Sequence, residues 1–201
     1  MKVVVIGTGT VGQAVAGTLS RHGHDVVSVG RTSGMLQADI TDSRSLETLF
    51  ETVVEFDAVV CAAGDVFPGP LAMSTAAQWD DSIAAKGRGQ IDIVRAALPH
   101  ISDNGSFTLI SGILGDEVTP ASTIGATVNA MVEGFVKAAA TELPRGIRIN
   151  CVSPTVLVES PQYFPYFPGY TAVSAEDVAM AYLRAVSNPM TGRILKLHKT
   201  G

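Results

Sequence analysis

A glycine-rich segment near the N-terminus has the spacing of a phosphate-binding turn. The segment is Gly7-Thr8-Gly9-Thr10-Val11-Gly12, and it lies between a Val/Ile-rich run and an amphipathic run. In a strand–turn–helix setting the first glycine makes the tight turn, the second lets the backbone approach a pyrophosphate, and the third lets helix and strand pack closely. The helix N-terminus adds free N–H groups and partial positive charge. We therefore expect dinucleotide binding here; the alternative is a glycine turn that serves packing alone.

The end of the second apolar run bears on which dinucleotide is bound. A carboxylate about 20 residues after the glycines would bind the ribose 2′-hydroxyl of NAD and repel a 2′-phosphate. Here the chain reads Val29-Gly30-Arg31-Thr32-Ser33, and the next acid is Asp39. Arg31 can pair with a 2′-phosphate, and Thr32 and Ser33 can donate hydrogen bonds to it. The sequence predicts NADP(H) in preference to NAD(H), unless Arg31 is only a solvated loop residue.

Composition excludes several classes of protein. Of 201 residues, 46% are hydrophobic and 16% are charged, so the chain has ample material for a core and is not a disordered chain. The net charge is −5 and the 14 Lys and Arg residues are scattered, which argues against a nucleic-acid partner. The apolar runs are shorter than the ~20 residues that cross a membrane, and no signal peptide is evident. We expect a cytoplasmic protein without a membrane segment.

Cysteine and histidine usage gives no sign of a metal centre. Cys61 and Cys151 are too few for a disulfide framework or a zinc site. Both stand at the ends of apolar runs, so we expect buried structural thiols. The four histidines are dispersed along the chain, and we predict no bound metal.

Apolar runs alternate with amphipathic stretches along the whole chain. The runs are Val/Ile-rich and continuous, as in strands buried on both faces of a parallel sheet. Strands are predicted at 2–6, 25–29, 35–38, 57–62, 105–111, 146–152 and 193–198, and helices at 11–22, 43–54, 75–98, 123–142 and 175–187. Asp42 and the pair Ser174 and Asp177 are predicted helix caps. The pattern predicts an α/β fold, a single Rossmann-type domain over 1–201 with a doubly wound parallel sheet of about seven strands and helices on both faces.

One segment does not fit the alternation. Within 155–172, the stretch from Ser160 to Tyr170 holds three prolines, two phenylalanines and three tyrosines. Proline disfavours a regular helix, so we predict an aromatic loop that covers another part of the molecule.

Several further segments resemble motifs of the short-chain dehydrogenase/reductase family, and the resemblance covers almost the whole chain. These are Ala38-Asp39-Ile40-Thr41-Asp42, Cys61-Ala62-Ala63-Gly64, Leu109-Ile110-Ser111-Gly112, Gly146 to Pro154, and Thr191 to Leu195. The resemblance implies an NAD(P)-dependent oxidoreductase. It places Asp39 and Ile40 beside the adenine, Ala62 to Gly64 in the family's Asn-Asn-Ala-Gly turn, and Pro154-Thr155-Val156 on the nicotinamide side. It also places the aromatic loop at 155–172 on the substrate side.

The same resemblance implies a homodimer or homotetramer that forms through the helices at 75–98 and 123–142. Small side chains on these helices permit close packing: Ala96, Ala97, Ala130, Ala138, Ala139 and Ala140. Relative to the family, the helix between the second and third strands is missing, the substrate lid is short, and the glycine spacing is one residue tighter.

The family's Tyr–x–x–x–Lys pair is absent. Alignment on Glu133-Gly134-Phe135 places Gly125 at the tyrosine and Asn129 at the lysine, and Ser111 stands 14 residues before Gly125 at the position of the active-site serine. Lys86 occupies the family's asparagine position. Glycine can donate no proton, and a serine without a base beside it is a hydrogen-bond donor rather than a nucleophile.

Other side chains are candidates for the missing roles. We hypothesise that Lys86 partly replaces the missing cation, the alternative being a lysine that faces solvent. Tyr163, or Tyr166 or Tyr170 in the same loop, is a candidate proton donor, although these tyrosines equally suit cover of the core or of a partner subunit. Asp116 and Glu117 follow the Ser111 strand, but exposed loop carboxylates are common.

Three functions are compatible with these residues. The first is an NADP(H)-binding oxidoreductase acting on an unknown carbonyl or alcohol, with a rearranged or water-mediated acid. The second is a catalytically silent NADP(H)-binding sensor or regulator, favoured by the loss of Tyr and Lys. The third is a lyase, isomerase or cyclase that reuses the cleft. All three act on or bind a small molecule, and fold alone does not separate them.

Overall fold

Seven parallel strands form one sheet in the order β3-β2-β1-β4-β5-β6-β7. The computed structural model describes residues 1–198; residues 199–201, which the predicted domain includes, lie outside the described part. The strands are β1 Lys2–Ile6, β2 Asp25–Gly30, β3 Leu36–Gln37, β4 Phe56–Cys61, β5 Ile101–Ile110, β6 Arg148–Pro154 and β7 Ile194–Leu197. All seven predicted strands are present, and the α/β doubly wound sheet is confirmed.

Helices cover both faces of the sheet. They are α1 Thr10–Arg21, α2 Ser43–Thr52, α3 Ala76–Ser82, α4 Gly89–Ala97, α5 Thr123–Ala139 and α6 Ala175–Ser187. One core cluster joins α1 and α6 to the sheet through residues such as Val15, Leu19 and Tyr182. A second cluster lies on the opposite face, under α2, α4 and α5. Because helices pack on both faces of the sheet, side chains that point to either face of a strand are buried. The strands are therefore apolar at successive residues rather than at every second one.

Two helices begin at the N-cap residues that the sequence predicts. The Asp42 side chain accepts a hydrogen bond from the Arg44 backbone N–H at the start of α2. Ser174 and Asp177 form a reciprocal capping box at the start of α6. As the sequence also predicts, the described chain passes from β2 to β3 without a helix.

Two predicted elements differ from the structure. The single helix predicted at 75–98 is interrupted by a π-helical turn at Ile83–Arg88, which separates α3 from α4. The aromatic loop contains a 3₁₀ helix, Pro161–Tyr166, although it forms no α-helix. A 3₁₀ helix is short and needs few internal N–H donors, so it tolerates the prolines better than an α-helix would.

Candidate functional site

The carboxyl ends of the parallel strands meet at one edge of the sheet, and the candidate residues gather there. The chain order reverses direction between β1 and β4, since β2 and β3 lie on one side of β1 while β4 to β7 lie on the other. In open α/β sheets the crevice at such a switch point is where ligands bind.

Gly7 and Gly12 are required by close backbone approaches at the end of β1. Gly7 has φ +116°, and a Cβ there would lie 2.7 Å from the Ala62 carbonyl carbon; a Cβ at Gly12 would lie 1.9 Å from the Gly7 oxygen. At Gly9, by contrast, a Cβ would meet nothing within 4 Å, and α1 begins there without a side-chain cap. The middle glycine and the first N–H groups of α1 therefore border open space.

That open space is a cavity of about 360 Å³, here named the glycine-loop cavity. Among the predicted cofactor residues, its lining includes Gly7, Thr8, Gly9, Arg31, Thr32, Asp39, Ile40, Ala62, Ala63 and Gly64. Thr10, Gly12 and Ser33 are not in the lining. Ser33 instead shares a 2.7 Å hydrogen bond with the Thr8 hydroxyl, which ties the end of β2 to the glycine turn.

Asp39 is engaged by its own turn rather than free. Its Oδ1 accepts hydrogen bonds from the Thr41 hydroxyl at 2.7 Å and the Thr41 backbone N–H at 2.9 Å. These bonds, with a smaller contribution from the charge of Arg31, hold the pKa of Asp39 below its usual value. Asp39 and the exposed Arg31 thus border the same end of the glycine-loop cavity.

A second cavity, of about 340 Å³, adjoins the first and shares Gly64 and Asp65 with it. We name it the apolar cavity. Its walls are mainly hydrophobic, and its lining includes Val11, Lys86, Ser111, Gly125, Asn129, Pro154, Thr155, Val156 and Tyr163. The structure therefore brings every predicted catalytic residue to one cavity, although not every side chain is directed into it.

Lys86 points into the apolar cavity and not to bulk solvent. Its Nζ donates to the Ser111 backbone carbonyl at 3.0 Å, and its stem packs where a Cβ on Gly64 would lie, 2.9 Å from Lys86 Cγ. The π-helical turn carries this residue, and such turns often re-aim a side chain at a functional site. Gln90 fixes the turn to β5, because its amide bonds both the Lys86 and the Ile110 carbonyls. Desolvation lowers the pKa of Lys86.

The Ser111 hydroxyl donates its hydrogen bond to a buried carboxylate. Ser111 is buried, and its Oγ donates to Glu133 Oε1 at 2.7 Å. The next residue, Gly112, faces the cavity residue Asn129, because a Cβ on Gly112 would lie 3.0 Å from Asn129 Nδ2. Ser111 and Gly112 both line the cavity, and the wall beside Asn129 presents the glycine. The Ser111 hydroxyl is thus engaged by Glu133 in this structure, and a catalytic role for Ser111 stays a prediction.

Glu133 is a site residue that sequence reasoning missed. It is 4% exposed and lies behind the cavity wall on α5. In the sequence Glu133 looks like any glutamate of an amphipathic helix. Its contact with Ser111 depends on which side of α5 faces the end of β5, and that is seen only in the structure.

Replacing Ser111 with alanine is expected to destabilise the fold, because it strips the buried Glu133 carboxylate of its hydroxyl donor. An unsatisfied buried acceptor costs about 1–3 kcal/mol. The free energy of unfolding in urea measures this, with Ser20→Ala, at an exposed position of α1, as the control. Unchanged stability of S111A would contradict the contact.

Asn129 presents a free acceptor beside the cavity. Its Nδ2 donates to the Gly112 carbonyl at 3.2 Å, which fixes the amide orientation and leaves Oδ1 buried with no partner among residues 1–198. Thr155 Oγ1 is also buried and unpartnered within that described part. Buried polar atoms are normally satisfied, so these two atoms mark places where a ligand would bond. Gly125 supplies no polar atom of its own.

The three loop tyrosines do not share one environment. Tyr163 and Tyr166 line the mouth of the apolar cavity and are 45% and 42% exposed. Tyr170 lies outside the lining; partial burial and the nearby Glu117 raise its pKa.

Asp116 pairs with Lys196 at 2.6 Å. Neither carboxylate after the Ser111 strand lines the cavity.

Other features complete the description of residues 1–198. Cys61 and Cys151 are free and buried, as predicted. In this part of the chain no group of three His, Cys, Asp or Glu side chains is arranged to hold a metal ion. No helix within the same residues has both the length and the hydropathy to cross a membrane.

Comparison with known proteins gives a consistent result. The model of a family described as enoyl-(acyl carrier protein) reductase matches residues 7–190. An uncharacterized oxidoreductase of Staphylococcus aureus is 28% identical over 92% of this chain and 90% of its own. Among solved structures, protein lin1944 of Listeria innocua is 38% identical with a TM-score of 0.95, over 98% of both chains. A small-chain dehydrogenase in complex with NADPH is 28% identical with a TM-score of 0.89, over 98% of this chain and 96% of the other. With this fold, this glycine turn and these matches, the chain belongs to the short-chain dehydrogenase/reductase family of oxidoreductases.

Proposed function

We propose that the protein is an NADP(H)-dependent oxidoreductase that acts on a small carbonyl or alcohol substrate through a non-standard site. One observation carries the proposal: the glycine-loop cavity and the apolar cavity meet at Gly64 and Asp65, with Lys86 packed against Gly64 at the junction. A dinucleotide held in the first cavity would supply its hydride chemistry at the entrance to the second, where these shared residues lie. A solved relative in complex with NADPH supports the choice of cofactor.

The residues present fit a nicotinamide dinucleotide. The open space over Gly9 suits a pyrophosphate, since any side chain there would occupy it. Asp39 and Ile40 border the adenosine end of the glycine-loop cavity. The unpartnered atoms Asn129 Oδ1 and Thr155 Oγ1 are placed to bond polar groups at the nicotinamide end. When bound, the cofactor supplies or accepts a hydride.

In this proposal side chains of the protein position the substrate and supply the one proton that the reduction of a carbonyl requires. Lys86 Nζ is the cationic donor at the cavity floor and polarises the substrate oxygen. Tyr163 at the mouth is the candidate proton donor, with water as the relay where the phenol does not reach. The hydrophobic walls limit water around the reacting atoms and thereby strengthen the effect of the lysine charge.

Titration of the purified protein with NADPH and NADH tests the proposal. We expect micromolar binding of NADPH that is followed by its consumption with a member of a carbonyl panel. Failure to bind either dinucleotide would overturn the proposal. Binding without turnover of any substrate would favour a sensor or regulator instead, the alternative that the absence of a proton donor at Gly125 supports.

Arg31 decides the cofactor preference in this proposal. Arg31→Ala is expected to raise the Kd for NADPH by about 10- to 100-fold, because a charge-assisted hydrogen bond to phosphate is worth about 1.5–3 kcal/mol. The Kd for NADH is expected to stay within about twofold, since NADH carries no 2′-phosphate. Fluorescence titration of both dinucleotides measures the two constants. Arg184→Ala, an equal loss of charge at an exposed position of α6, is the control; parallel weakening of both dinucleotides by R31A would contradict the assignment.

The proposed assembly is a homodimer or homotetramer that forms through α4 and α5. The exposed Ala130 and the partly exposed Met131 on α5 support it. Ala97 is fully buried in the core and cannot contribute to such a face. Ala139 and Ala140 pack partly against that core.

A further inference from the structure

The apolar cavity combines a cationic donor, Lys86, with a position that carries no side chain, Gly125. Lys86 Nζ has three N–H donors when protonated, and one of them bonds the Ser111 carbonyl at 3.0 Å. Among residues 1–198, Lys86 forms no ion pair. Two donors are therefore available to a ligand oxygen in this cavity.

The cavity wall beside Gly125 is apolar. A Cβ on Gly125 would lie 3.3 Å from Leu114 Cδ1 and 3.9 Å from Val66 Cγ2, so these two hydrophobic side chains pack against the Gly125 backbone and residue 125 adds no side chain to the cavity. An apolar wall accepts an uncharged ring system more readily than a solvated polar group.

Aromatic side chains from two separate loops line the cavity. Phe67 is contributed by the loop after β4, and Tyr163, Tyr166 and Phe167 by the loop after β6. Phe67 is 44% exposed, so part of its ring is accessible to a ligand. Ring–ring contacts add about 0.5–1.5 kcal/mol beyond simple burial, so this lining favours an aromatic or quinonoid ligand.

We propose that the apolar cavity binds a planar conjugated carbonyl compound of the quinone class and holds its oxygen as a phenolate against Lys86. This inference names the substrate class of the proposed function and rests on it. A simple ketone that gains a hydride becomes a strongly basic alkoxide and needs an acid beside it. Gly125 provides none, and Tyr163 at the mouth, 45% exposed, would serve it through water. A quinone that gains a hydride from the reduced dinucleotide keeps the hydrogen on one oxygen. The electron pair passes through the ring to the other oxygen as a phenolate, the dinucleotide is oxidised, and a proton from water completes the hydroquinone.

None of the charged groups around Lys86 forms an ion pair with it among residues 1–198. Desolvation lowers the pKa of Lys86, and the charge of Asp65, at the exposed cavity edge, acts in the opposite direction. The Cys61 and Cys151 thiols on β4 and β6 are neutral, because burial raises the pKa of each to about 12. Glu133 lies behind the Ser111 wall, where the Ser111 hydroxyl occupies its Oε1. A phenolate is therefore the negative partner that Lys86 lacks within the protein.

The test uses 4-nitrophenol, which changes colour on ionisation, and the full-length protein without any dinucleotide. We expect bound nitrophenol to have its pKa lowered by about one unit or more, the effect of an opposite charge within hydrogen-bonding range. Lys86→Met is expected to remove the shift, Lys86→Arg to retain most of it, and Lys137→Met, at an exposed position of α5, to leave it unchanged. K86R keeps the test valid if K86M does not fold.

Three results would overturn the inference: no nitrophenol binding, binding with an unshifted pKa, or a shift that persists in folded K86M. Because no cofactor is present, these outcomes are independent of the proposed function. A phenolate shift in a protein that binds neither NADPH nor NADH would uphold the ligand site and refute the oxidoreductase. With NADPH bound, a quinone is expected to be reduced at least tenfold faster than a simple ketone of similar size.

Discussion

Replacing Gly12 with alanine is expected to abolish dinucleotide binding and to destabilise the whole fold. The new Cβ would lie 1.9 Å from the Gly7 oxygen and 2.6 Å from its carbonyl carbon. Both are backbone atoms at the end of β1, so α1 must shift away from the sheet to relieve the clash. We expect a loss of about 2–4 kcal/mol in the free energy of unfolding, at the upper end for overpacking. The Kd for NADPH is expected to rise at least ~100-fold, because the glycine turn moves with the helix.

Two glycines in the same region supply matched controls. In Gly17→Ala, also on α1, the new Cβ lies 3.4 Å from the flexible Arg21 guanidinium, and alanine is preferred to glycine inside a helix by about 0.5–1 kcal/mol. G17A should therefore stabilise the protein. Gly9→Ala meets no atom within 4 Å, so it should cost far less stability than G12A, only the preference for glycine over alanine at a helix N-cap, while it still weakens NADPH binding. Urea unfolding and fluorescence titration separate these effects, and a G12A protein with wild-type stability and affinity would contradict the close approach.

The two cysteines are expected to be almost unreactive in the folded protein. Burial raises the pKa of Cys61 and of Cys151 to about 12, whereas an unfolded thiol has a pKa of about 8.5. At pH 8 the reactive thiolate is therefore expected to be roughly 10³-fold scarcer in the folded state. A chromogenic disulfide reagent should detect no fast thiol in the native protein and two after denaturation. Ser20→Cys, at an exposed position of α1, supplies the reactive control; a fast thiol in the wild type would contradict the burial.

The same thiols are expected to make the fold sensitive to alkali. Their pKa is raised on folding, so their contribution to stability is complete below the pKa of the unfolded thiol and is lost as pH rises from there toward 12. Between pH 8 and 10 the loss is expected to be about 1–2 kcal/mol per thiol. In urea unfolding, the Cys61→Ala/Cys151→Ala double variant should show a flatter pH dependence over this range. Above pH 10 the buried Tyr182 also contributes, because burial raises its pKa as well. If the stability of the wild type and of the double variant fell equally with pH below pH 10, the assignment of the pH dependence to the two thiols would be contradicted.

The strands could be predicted closely because their local pattern has a strong physical cause. A strand buried on both faces must be apolar throughout, and β1, with Val3 to Val5 fully buried, shows that composition directly. β5 is the exception: it begins at Ile101, four residues before the predicted start, and its first part contains the polar Asp103 and Asn104. Pairing with β4, which includes a register shift after Phe56, explains that extension, and no local pattern reveals such a partner.

The candidate site could be predicted as a neighbourhood, but its side-chain directions could not. Parallel topology alone places Gly7, Ala62, Ser111 and Pro154 at one edge of the sheet, because all four stand at carboxyl ends of strands. Ser111 and Gly112 both line the apolar cavity, but the direction of the Ser111 hydroxyl was decided by its contact with Glu133 on α5, 22 residues further along the chain.

Lys86 shows the same division between sequence and tertiary structure. Its alignment position could be found from the chain, yet its direction depends on the π-helical turn Ile83–Arg88 and on the hydrogen bonds of Gln90 to β5. The sequence by itself determined the sheet, the glycine turn and the family resemblance, since these follow from local periodicity and spacing. Only the tertiary structure decided which polar atoms face the cavity, because that depends on contacts between residues far apart in the chain.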